Sequence, residues 1–327
     1  MIKELTIKNF KSIKELQIKC KKLNVFIGEP NSGKSNLIEA LSLQSQDILK
    51  QELNRDIFRF KIISDLFFDF NINIPIEVIT QNQHTKLEYG IRQNGILENT
   101  FNFHFNTFDE KDKPAVISHK GEIQTHGNVA NTDVRFYEFK MLTNFVSSYL
   151  PHLSVPYGEN LPSLLLSDSN LKKWVSEFLA TCQLKLTLKP AENEIAVSKF
   201  KDDEIYSYPY FSLSETLQRI IFYTISVKTN QNSTILLDEP DSNTFPFYTK
   251  NLAEKIALDK TNQFFITTHN PYLLLSLIEK SRKEDLNVCI TYIKEFQTSL
   301  QILDEKQITE VLDLSSDAFF NFDKLLT

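Results

Sequence analysis

Residues 23–43 read LNVFIGEPNSGKSNLIEALSL and contain the pattern that decides the fold. The apolar run at 23–27 predicts a buried strand, and the spacing of Leu37, Ile38 and Leu41 predicts a helix. Between them, GEPNSGKS at residues 28–35 fits the pattern G-x-x-x-x-G-K-[ST]. A strand, a glycine loop and a helix in this order form a cradle for phosphate groups, so the segment predicts an α/β protein that binds a nucleotide.

The glycines, the lysine and the serine of this loop each suit a different part of phosphate and Mg²⁺ binding. Gly28 and Gly33 allow the backbone to curl, so that its N–H groups face the β-phosphate. Lys34 is expected to reach the β- and γ-phosphates, and Ser35 to offer a hydroxyl to Mg²⁺. The predicted ATP-binding residues are Gly28, Glu29, Pro30, Asn31, Ser32, Gly33, Lys34, Ser35 and Asn36.

Two later apolar runs end in polar residues that suit nucleotide chemistry. TILLDEPD, residues 234–241, contains Asp238 and Glu239, and FFITTHNP, residues 264–271, contains His269. A carboxylate at the end of a buried strand can hold the water shell of Mg²⁺ or deprotonate an attacking water, so we assign Asp238 to magnesium and Glu239 to the water. His269 is expected to bond the γ-phosphate or that water. The predicted catalytic residues are therefore Glu239 and His269, and the predicted magnesium ligands are Ser35 and Asp238.

A serine-rich segment precedes the first of these runs. FSLSETLQR, residues 211–219, begins an amphipathic helix, and Ser212 or Ser214 is expected to cap it and to leave N–H groups free for an anion.

Charge and hydropathy exclude several classes of protein. The chain has 327 residues, a net charge of −6 and a pI near 5.6, which argues against a protein that coats nucleic acid without specificity. No stretch approaches 18 consecutive apolar residues and the N-terminus lacks an apolar signal core, so we expect a cytoplasmic protein with no membrane partner.

The first 22 residues contain an excess of lysine. Lys3, Lys8, Lys11, Lys14, Lys19, Lys21 and Lys22 stand against only Glu4 and Glu15. Two interpretations stay open, a solvated hairpin face and a patch that contacts a nucleic-acid backbone, and the acidic remainder of the chain favours the first.

The middle of the chain changes character. From about 66 to 125 apolar residues alternate with polar ones, including Phe68, Phe70, Ile72 and Ile74, and Asn94-Gly95 predicts a hairpin turn. We therefore expect an antiparallel sheet inserted into the α/β protein. The final third alternates helices with apolar strands, which predicts a largely parallel sheet.

The order of these elements resembles the ABC-type ATPases of the SMC, Rad50, RecF and OLD kind. The resemblance is strongest to the compact OLD-like proteins called AAA family ATPases in bacterial defence clusters. It is carried by IKELTIKNFKSIKELQI at the N-terminus, by GEPNSGKS, by LSETLQR as a degenerate signature motif, by LLDEPD as a Walker B motif and by TTHNP as the switch segment. It implies an ABC-type P-loop NTPase head with a mostly parallel core sheet, helices and an inserted antiparallel β subdomain.

Within that single head the resemblance and the patterns predict parts with different roles. These are an N-terminal β hairpin, phosphate loop and following helix at 1–65, an antiparallel β subdomain at 66–140, a helical and linker region at 141–210, and a lobe with the signature, Walker B, D-loop and switch histidine at 211–327.

In the family it resembles, two heads sandwich two nucleotides. Carried over, Ser214 would contact the γ-phosphate of the other head in trans, and Asp241 with Ser242 would form the loop at the dimer interface. ATP and Mg²⁺ are the implied cofactors. The family's signature Gly-Gly is Glu215-Thr216 here, which places a carboxylate near the phosphate. No residue securely matches the glutamine that links Mg²⁺ to the arm in related proteins.

The chain also lacks features of some relatives. The interval between the phosphate loop and the signature has no long coiled coil, and fewer than 60 residues follow His269, where OLD-type nucleases carry a Toprim domain. We therefore expect a slow ATPase that forms a homodimer or higher homo-oligomer and acts as a nucleotide-dependent sensor or regulator of an effector in trans, a nuclease or toxin in antiphage defence. The alternatives are a RecF-like DNA-binding repair ATPase and, less favoured, a transporter ATPase subunit.

Overall fold

The computed structural model describes residues 1–45, 52–90, 100–109, 111–128 and 132–314. Its strands are β1 (Glu4–Phe10), β2 (Ile13–Lys19), β3 (Leu23–Gly28), β4 (Ile76–Thr80), β5 (His84–Gly90), β6 (Thr100–His104), β7 (Ala115–Ser118), β8 (Ile123–Thr125), β9 (Val134–Tyr137), β10 (Lys185–Lys189), β11 (Glu194–Lys201), β12 (Glu204–Pro209), β13 (Thr234–Asp238), β14 (Gln263–Thr267), β15 (Leu286–Lys294) and β16 (Gln297–Ile302). Its α-helices are α1 (Lys34–Ser42), α2 (Arg55–Phe58), α3 (Leu161–Ser167), α4 (Ser169–Ala180), α5 (Glu215–Thr229), α6 (Pro246–Leu258), α7 (Pro271–Lys280) and α8 (Glu305–Leu314).

A six-stranded sheet forms the centre of the molecule. Its order is β16-β15-β3-β14-β13-β9, and every pairing is parallel except that of β16 with β15. The carboxyl ends of the parallel strands therefore lie along one edge, where ligands bind in open α/β sheets. The predicted α/β class and mostly parallel core are confirmed.

Both faces of this sheet are covered, which explains the continuous apolar runs in its strands. On one face Phe26, Leu236 and Phe265 join a core with α1 and the antiparallel sheet. On the other face Leu237 and Ile266 join a core with the helices of the C-terminal half. The alternation of side chains along each strand thus gives the molecule two separate apolar layers.

A seven-stranded sheet packs over α1. Its order is β2-β1-β4-β5-β6-β7-β8, all pairings being antiparallel, so the N-terminal hairpin and the inserted strands form one sheet. The predicted antiparallel subdomain is confirmed. The predicted Asn94-Gly95 turn lies outside the described residues.

The alternating stretch before β4 does not form the predicted strand. Phe68–Phe70 is a short 3₁₀ helix, in which Asp69 and Phe70 have positive φ angles of 50° and 58°. The side chain of Asn9 donates to the carbonyl oxygens of Asn71 and Ile74. Hydrogen bonds from a side chain to the backbone thus take the place of strand-to-strand hydrogen bonds here. The alternation of apolar and polar residues alone therefore gave a wrong prediction of a strand.

Two further differences concern sheet membership. Strand β9, placed by sequence in the antiparallel part at 66–140, pairs in parallel with β13 in the central sheet. The region at 141–210, predicted as helical and linker, also contains the antiparallel sheet β10-β11-β12. The pairing of β9 with β13 leaves no local signal, because these strands are distant in sequence. Strands β10, β11 and β12 are consecutive hairpins, so their alternating residues were a local signal that sequence reasoning overlooked.

Within the described ranges, no helix combines the length and the apolar composition needed to cross a membrane.

Candidate functional site

The phosphate loop joins β3 to α1 at the carboxyl edge of the central sheet. Gly33 has a φ of +92°, and a Cβ there would lie 2.0 Å from Oγ1 of Thr298. A Cβ at Gly28 would lie 2.3 Å from the carbonyl oxygen of Thr291. Both glycines are therefore required by close packing against the β15–β16 hairpin, and no side chain caps the start of α1.

Lys34 is folded back over this loop. Its Nζ donates to the carbonyl oxygens of Gly28 at 2.9 Å and Glu29 at 2.8 Å. Burial lowers the pKa of Lys34 to about 8, although Glu239 and Asp238 oppose the shift. A bound phosphate would favour the charged form of the Lys34 amine. The amine could then exchange its two neutral carbonyl partners for phosphate oxygens.

Ser35 and Asp238 meet across the site as a hydroxyl and a carboxylate. Ser35 Oγ donates to Asp238 Oδ1 at 3.1 Å, and Thr267 Oγ1 donates to the same oxygen. Burial raises the pKa of Asp238, against these two hydrogen bonds. A serine hydroxyl and a carboxylate beside a phosphate loop are the oxygen donors that Mg²⁺ takes when phosphates complete its shell, so the residues fit that ion.

Glu239 and His269 form a second pair at the ends of β13 and β14. Glu239 Oε1 lies 2.9 Å from His269 Nε2, and both side chains are 40% exposed. Ser242 Oγ donates to the other carboxylate oxygen at 3.3 Å. The hydrogen bond from His269 is the main reason that the pKa of Glu239 is lowered. The carboxylate is thus ionised and open to solvent, as an acceptor of a proton from water must be.

The backbone at Glu239 is held in an uncommon conformation. Its φ is +45°, and its N–H donates to Thr267 Oγ1 at 3.0 Å and to the Thr267 carbonyl oxygen at 3.2 Å. Thr267 therefore positions both carboxylates, since its hydroxyl also contacts Asp238. Sequence reasoning did not single out this threonine.

Ser214 lies at the N-cap of α5 and is exposed. Its side chain makes no capping hydrogen bond, so the predicted cap is not formed by this hydroxyl. The next residue, Glu215, accepts from Arg219 Nη2 at 2.7 Å, and this bond is the main reason that its pKa is lowered. The carboxylate that replaces the expected glycine is thus paired within its own chain.

The loop predicted for a dimer interface is bonded internally. Asp241 is 5% exposed, and its Oδ2 accepts from Thr268 Oγ1 at 3.0 Å, while Oδ1 is buried with no partner in the described part of the chain. Burial raises the pKa of Asp241 to about 6. Asn243 connects the loop to the signature helix, because its carbonyl accepts from Thr216 Oγ1 at 2.9 Å. The loop therefore joins the switch segment to the start of α5.

Glu138 is a second site residue, besides Thr267, that sequence reasoning missed. It follows β9 directly, beside β13, and its Oε2 is buried without a hydrogen-bond partner among the described residues. Burial, with repulsion from Asp238 and Asp56, raises its pKa to about 7. The signal was present, since VRFYE, like TILLDE, is an apolar run ending in a carboxylate. Assigning 134–140 to the antiparallel part concealed it.

Gln44 and Gln46, which lie too close to the phosphate loop in sequence to match the metal-linked glutamine securely, differ in what the structure describes. Gln44 has a structural role. Its Nε2 donates to the carbonyl oxygens of Val78 at 3.0 Å and Gln83 at 3.3 Å. Gln46 lies outside the described residues.

Several N-terminal lysines are engaged within the chain. Lys8 pairs with Glu77 at 3.4 Å, Lys11 pairs with the buried Glu39, and Lys21 Nζ donates to the carbonyl oxygen of Leu286 at 2.9 Å. The exposed members, such as Lys3, Lys14 and Lys19, lie on the outer hairpin β1–β2. These contacts favour the solvated-face interpretation over a continuous patch for nucleic acid.

Comparisons with known proteins agree with this geometry. The family described as "AAA domain, putative AbiEii toxin, Type IV TA system" matches residues 23–276. Among solved structures, an SMC head bound to the C-terminal winged-helix domain of ScpA is 16% identical with a TM-score of 0.54, and covers 94% of this chain and 99% of that one. An SMC head with an extended coiled coil, bound to the C-terminal domain of ScpA derived from Pyrococcus furiosus, is 13% identical with a TM-score of 0.51, and covers 95% of this chain and 98% of that one.

No curated protein matches the chain. The family match spans the phosphate loop, the signature segment and the ends of β13 and β14, and the structural likeness is to P-loop heads of the SMC type. The chain therefore belongs to the family of AAA domains described as putative AbiEii toxins of type IV toxin–antitoxin systems, and it has the fold of an SMC-type ATPase head.

Proposed function

We propose that this protein binds Mg-ATP, hydrolyses it slowly as a sandwich dimer, and passes its nucleotide state to an effector protein. One observation carries the proposal. Ser35 is hydrogen-bonded to Asp238, and Glu239 contacts His269, at the edge of the sheet where the phosphate loop leads into α1. Three segments far apart in the chain thus meet in one place, which supports their assignment as a phosphate cradle, a magnesium position and a base.

The residues have separable tasks. Lys34 and the N–H groups at the start of α1 hold the phosphates. Ser35 and Asp238 hold Mg²⁺, and the unpartnered oxygen of Glu138 is a third candidate ligand beside them. When bound, Mg²⁺ neutralises charge on the phosphates. Glu239 accepts the proton of an attacking water.

His269 has a positioning role in this scheme. Its Nε2 lies 2.9 Å from the Glu239 carboxylate and keeps it ionised and oriented. We expect the same imidazole to bond the γ-phosphate and so to distinguish ATP from ADP.

Dimer formation completes the site in this proposal. Ser214 is exposed, its hydroxyl does not cap α5, and the loop at 241–244 is tied to the start of that helix by Asn243. A second head would present Ser214 to the γ-phosphate and place Ser242 near the interface. A γ-phosphate bound in one head would then be sensed through α5 of the other.

A separate effector protein is the partner of this head in the proposal. The SMC heads of similar fold are bound to domains of ScpA, which supports a partner for this head as well. The resemblance to defence ATPases supports a nuclease or toxin partner in a cytoplasmic antiphage module, and the family description, which names a type IV toxin–antitoxin system, supports the defence setting. If DNA is a further partner, it should bind in an ATP-dependent manner and more weakly as the salt concentration rises.

The test of the nucleotide function is direct. Calorimetric titration with Mg-ATP and an assay of phosphate release should show binding and slow turnover by the wild-type protein, and neither by Lys34→Ala. A wild-type protein that binds no Mg-ATP would contradict the proposal.

A further inference from the structure

Phe296 is placed in a way that the fold itself does not explain. It is 95% exposed, more than any other large apolar side chain in the described residues. Strand β15 pairs with β16 up to Lys294 and Gln297, so Glu295 and Phe296 form a two-residue turn with φ angles of 51° and 61°. Such turns favour Asn-Gly, because other residues resist positive φ. A phenylalanine here is strained, and it gains no burial.

The turn projects from the edge that carries the phosphate loop. Thr291 lies opposite Gly28 in the parallel pair of β15 and β3, and β15 continues to Lys294. At about 3.3 Å per residue, the strand ends about 10 Å beyond Gly28. The hairpin is fixed there, because Thr291 Oγ1 lies 2.7 Å from Ser32 Oγ and Thr298 Oγ1 lies 2.7 Å from Ser12 Oγ.

The hairpin lies on the side of the loop opposite the hydrolytic groups. In the sheet, β14 and β13 with His269 and Glu239 flank β3 on one side, and β15 and β16 flank it on the other. The γ-phosphate must face His269 and Glu239, so a bound nucleotide runs away from them across the loop. Its base then leaves the loop on the side of the β15–β16 hairpin.

The face of the hairpin that meets the loop is apolar at its tip. Ile293 pairs with Thr298 and lies two residues beyond Thr291, so the three side chains share one face. That face meets the loop, since a Cβ on Gly33 would touch Thr298. Ile293 is nevertheless 48% exposed, because no part of the described chain covers it. An exposed isoleucine and phenylalanine thus extend past the end of the phosphate cradle.

We propose that Phe296, supported by Ile293, stacks against the base of the bound nucleoside triphosphate. This inference rests on the proposed nucleotide binding and adds a contact for the base to the contacts proposed for the phosphates. Stacking on an aromatic ring is tolerant of base identity, so the surface recognises a nucleotide rather than a particular base.

Phe296→Ala, compared with wild type for Mg-ATP and for Mg-tripolyphosphate, tests the inference by calorimetry. Loss of a base–aromatic stack should weaken ATP binding about 5- to 100-fold. Binding of tripolyphosphate, which has no base, should be unchanged. Phe200→Ala on β11, whose ring is also exposed, is the matched control and should bind ATP as wild type does. Phe296→Trp should restore ATP binding and change its fluorescence when ATP binds.

Each result has a distinct meaning. Wild-type affinity for ATP in Phe296→Ala, or equal losses for ATP and tripolyphosphate, would overturn the stacking role while leaving the proposed nucleotide function intact. A wild-type protein that binds neither compound would overturn the proposed function, and the stacking role with it.

Discussion

Oε1 of Glu239 lies 2.9 Å from Nε2 of His269, although 30 residues of chain separate them. The contact exists because β13 and β14 are parallel neighbours, with Asp238 opposite Thr267, so the residues that follow both strands emerge at one edge. A carboxylate that an imidazole keeps ionised therefore lies beside the phosphate loop.

Replacing Glu239 should separate binding from turnover. Glu239→Gln keeps the shape of the side chain but removes the base, so hydrolysis should fall about 10²- to 10⁴-fold while Mg-ATP still binds. Single-turnover phosphate release and calorimetry measure the two quantities. Glu284→Gln, at an exposed glutamate away from the site, is the control. Full turnover by Glu239→Gln would remove Glu239 from the mechanism.

Removing His269 should change the pH dependence of the reaction. The hydrogen bond from His269 is the main cause that lowers the pKa of Glu239, so in His269→Ala that pKa should rise toward its ordinary value. The base would then be protonated at a higher pH, and the acid limb of the turnover profile should move to higher pH. A lower rate with an unmoved acid limb would show that His269 does not act through Glu239.

Glu138 predicts a pH effect on metal-dependent binding. Its pKa is raised to about 7, mainly by burial, and Mg²⁺ would bind the ionised form. The affinity for Mg-ATP should therefore increase between pH 6 and pH 8 in wild type, and Glu138→Gln should flatten this dependence. An equal slope in both proteins would exclude Glu138 as the group that titrates.

The same residue affects stability with a defined sign. The pKa of Glu138 in the folded state, about 7, lies above its ordinary value of 4.5, so between these values the folded state holds the proton more tightly and stability falls as pH rises. Without nucleotide, Glu138→Gln should unfold at a higher temperature than wild type at pH 8, and the difference should shrink toward pH 5. A constant difference across this range would contradict the assignment.

Gly33 should be intolerant of a side chain. Gly33→Ala adds a Cβ 2.0 Å from Thr298 Oγ1 at a φ of +92°, and should lower the free energy of unfolding by about 1–3 kcal/mol and impair Mg-ATP binding. Urea unfolding measures the first effect. Gly90→Ala, where the nearest atom is a side-chain oxygen of Asn102 at 3.2 Å, is the control and should cost less.

Much of this site follows from local sequence, because its parts coincide with strand ends. The glycine spacing around Lys34 predicts the phosphate loop and the start of a helix. The apolar runs before Asp238 and His269 each predict a strand and the polar residue that follows its end. The α/β class and the inserted antiparallel sheet follow from the same periodicities, and the structure confirms both.

What sequence could not provide depends on pairing between distant segments. Glu138 comes near Asp238 only because β9 pairs with β13, and the local sequence around β9 does not specify that neighbour. The position of Phe296 near the phosphate loop depends likewise on β15 pairing with β3. Alternation at Phe68 and Phe70 predicted a strand, but Asn9 reaches the backbone nearby and 3₁₀ geometry results instead.

We propose that two copies of the chain share each nucleotide site, and a mixture of two inactive variants can show whether they do. Lys34→Ala removes the phosphate grip and Ser214→Arg blocks the signature serine, so neither homodimer contains an intact site. In an equimolar mixture, half the dimers would be mixed and each would hold one intact site, so ATP hydrolysis should return to about a quarter of the wild-type rate. A mixture that hydrolyses ATP no faster than the two variants do separately would contradict the claim.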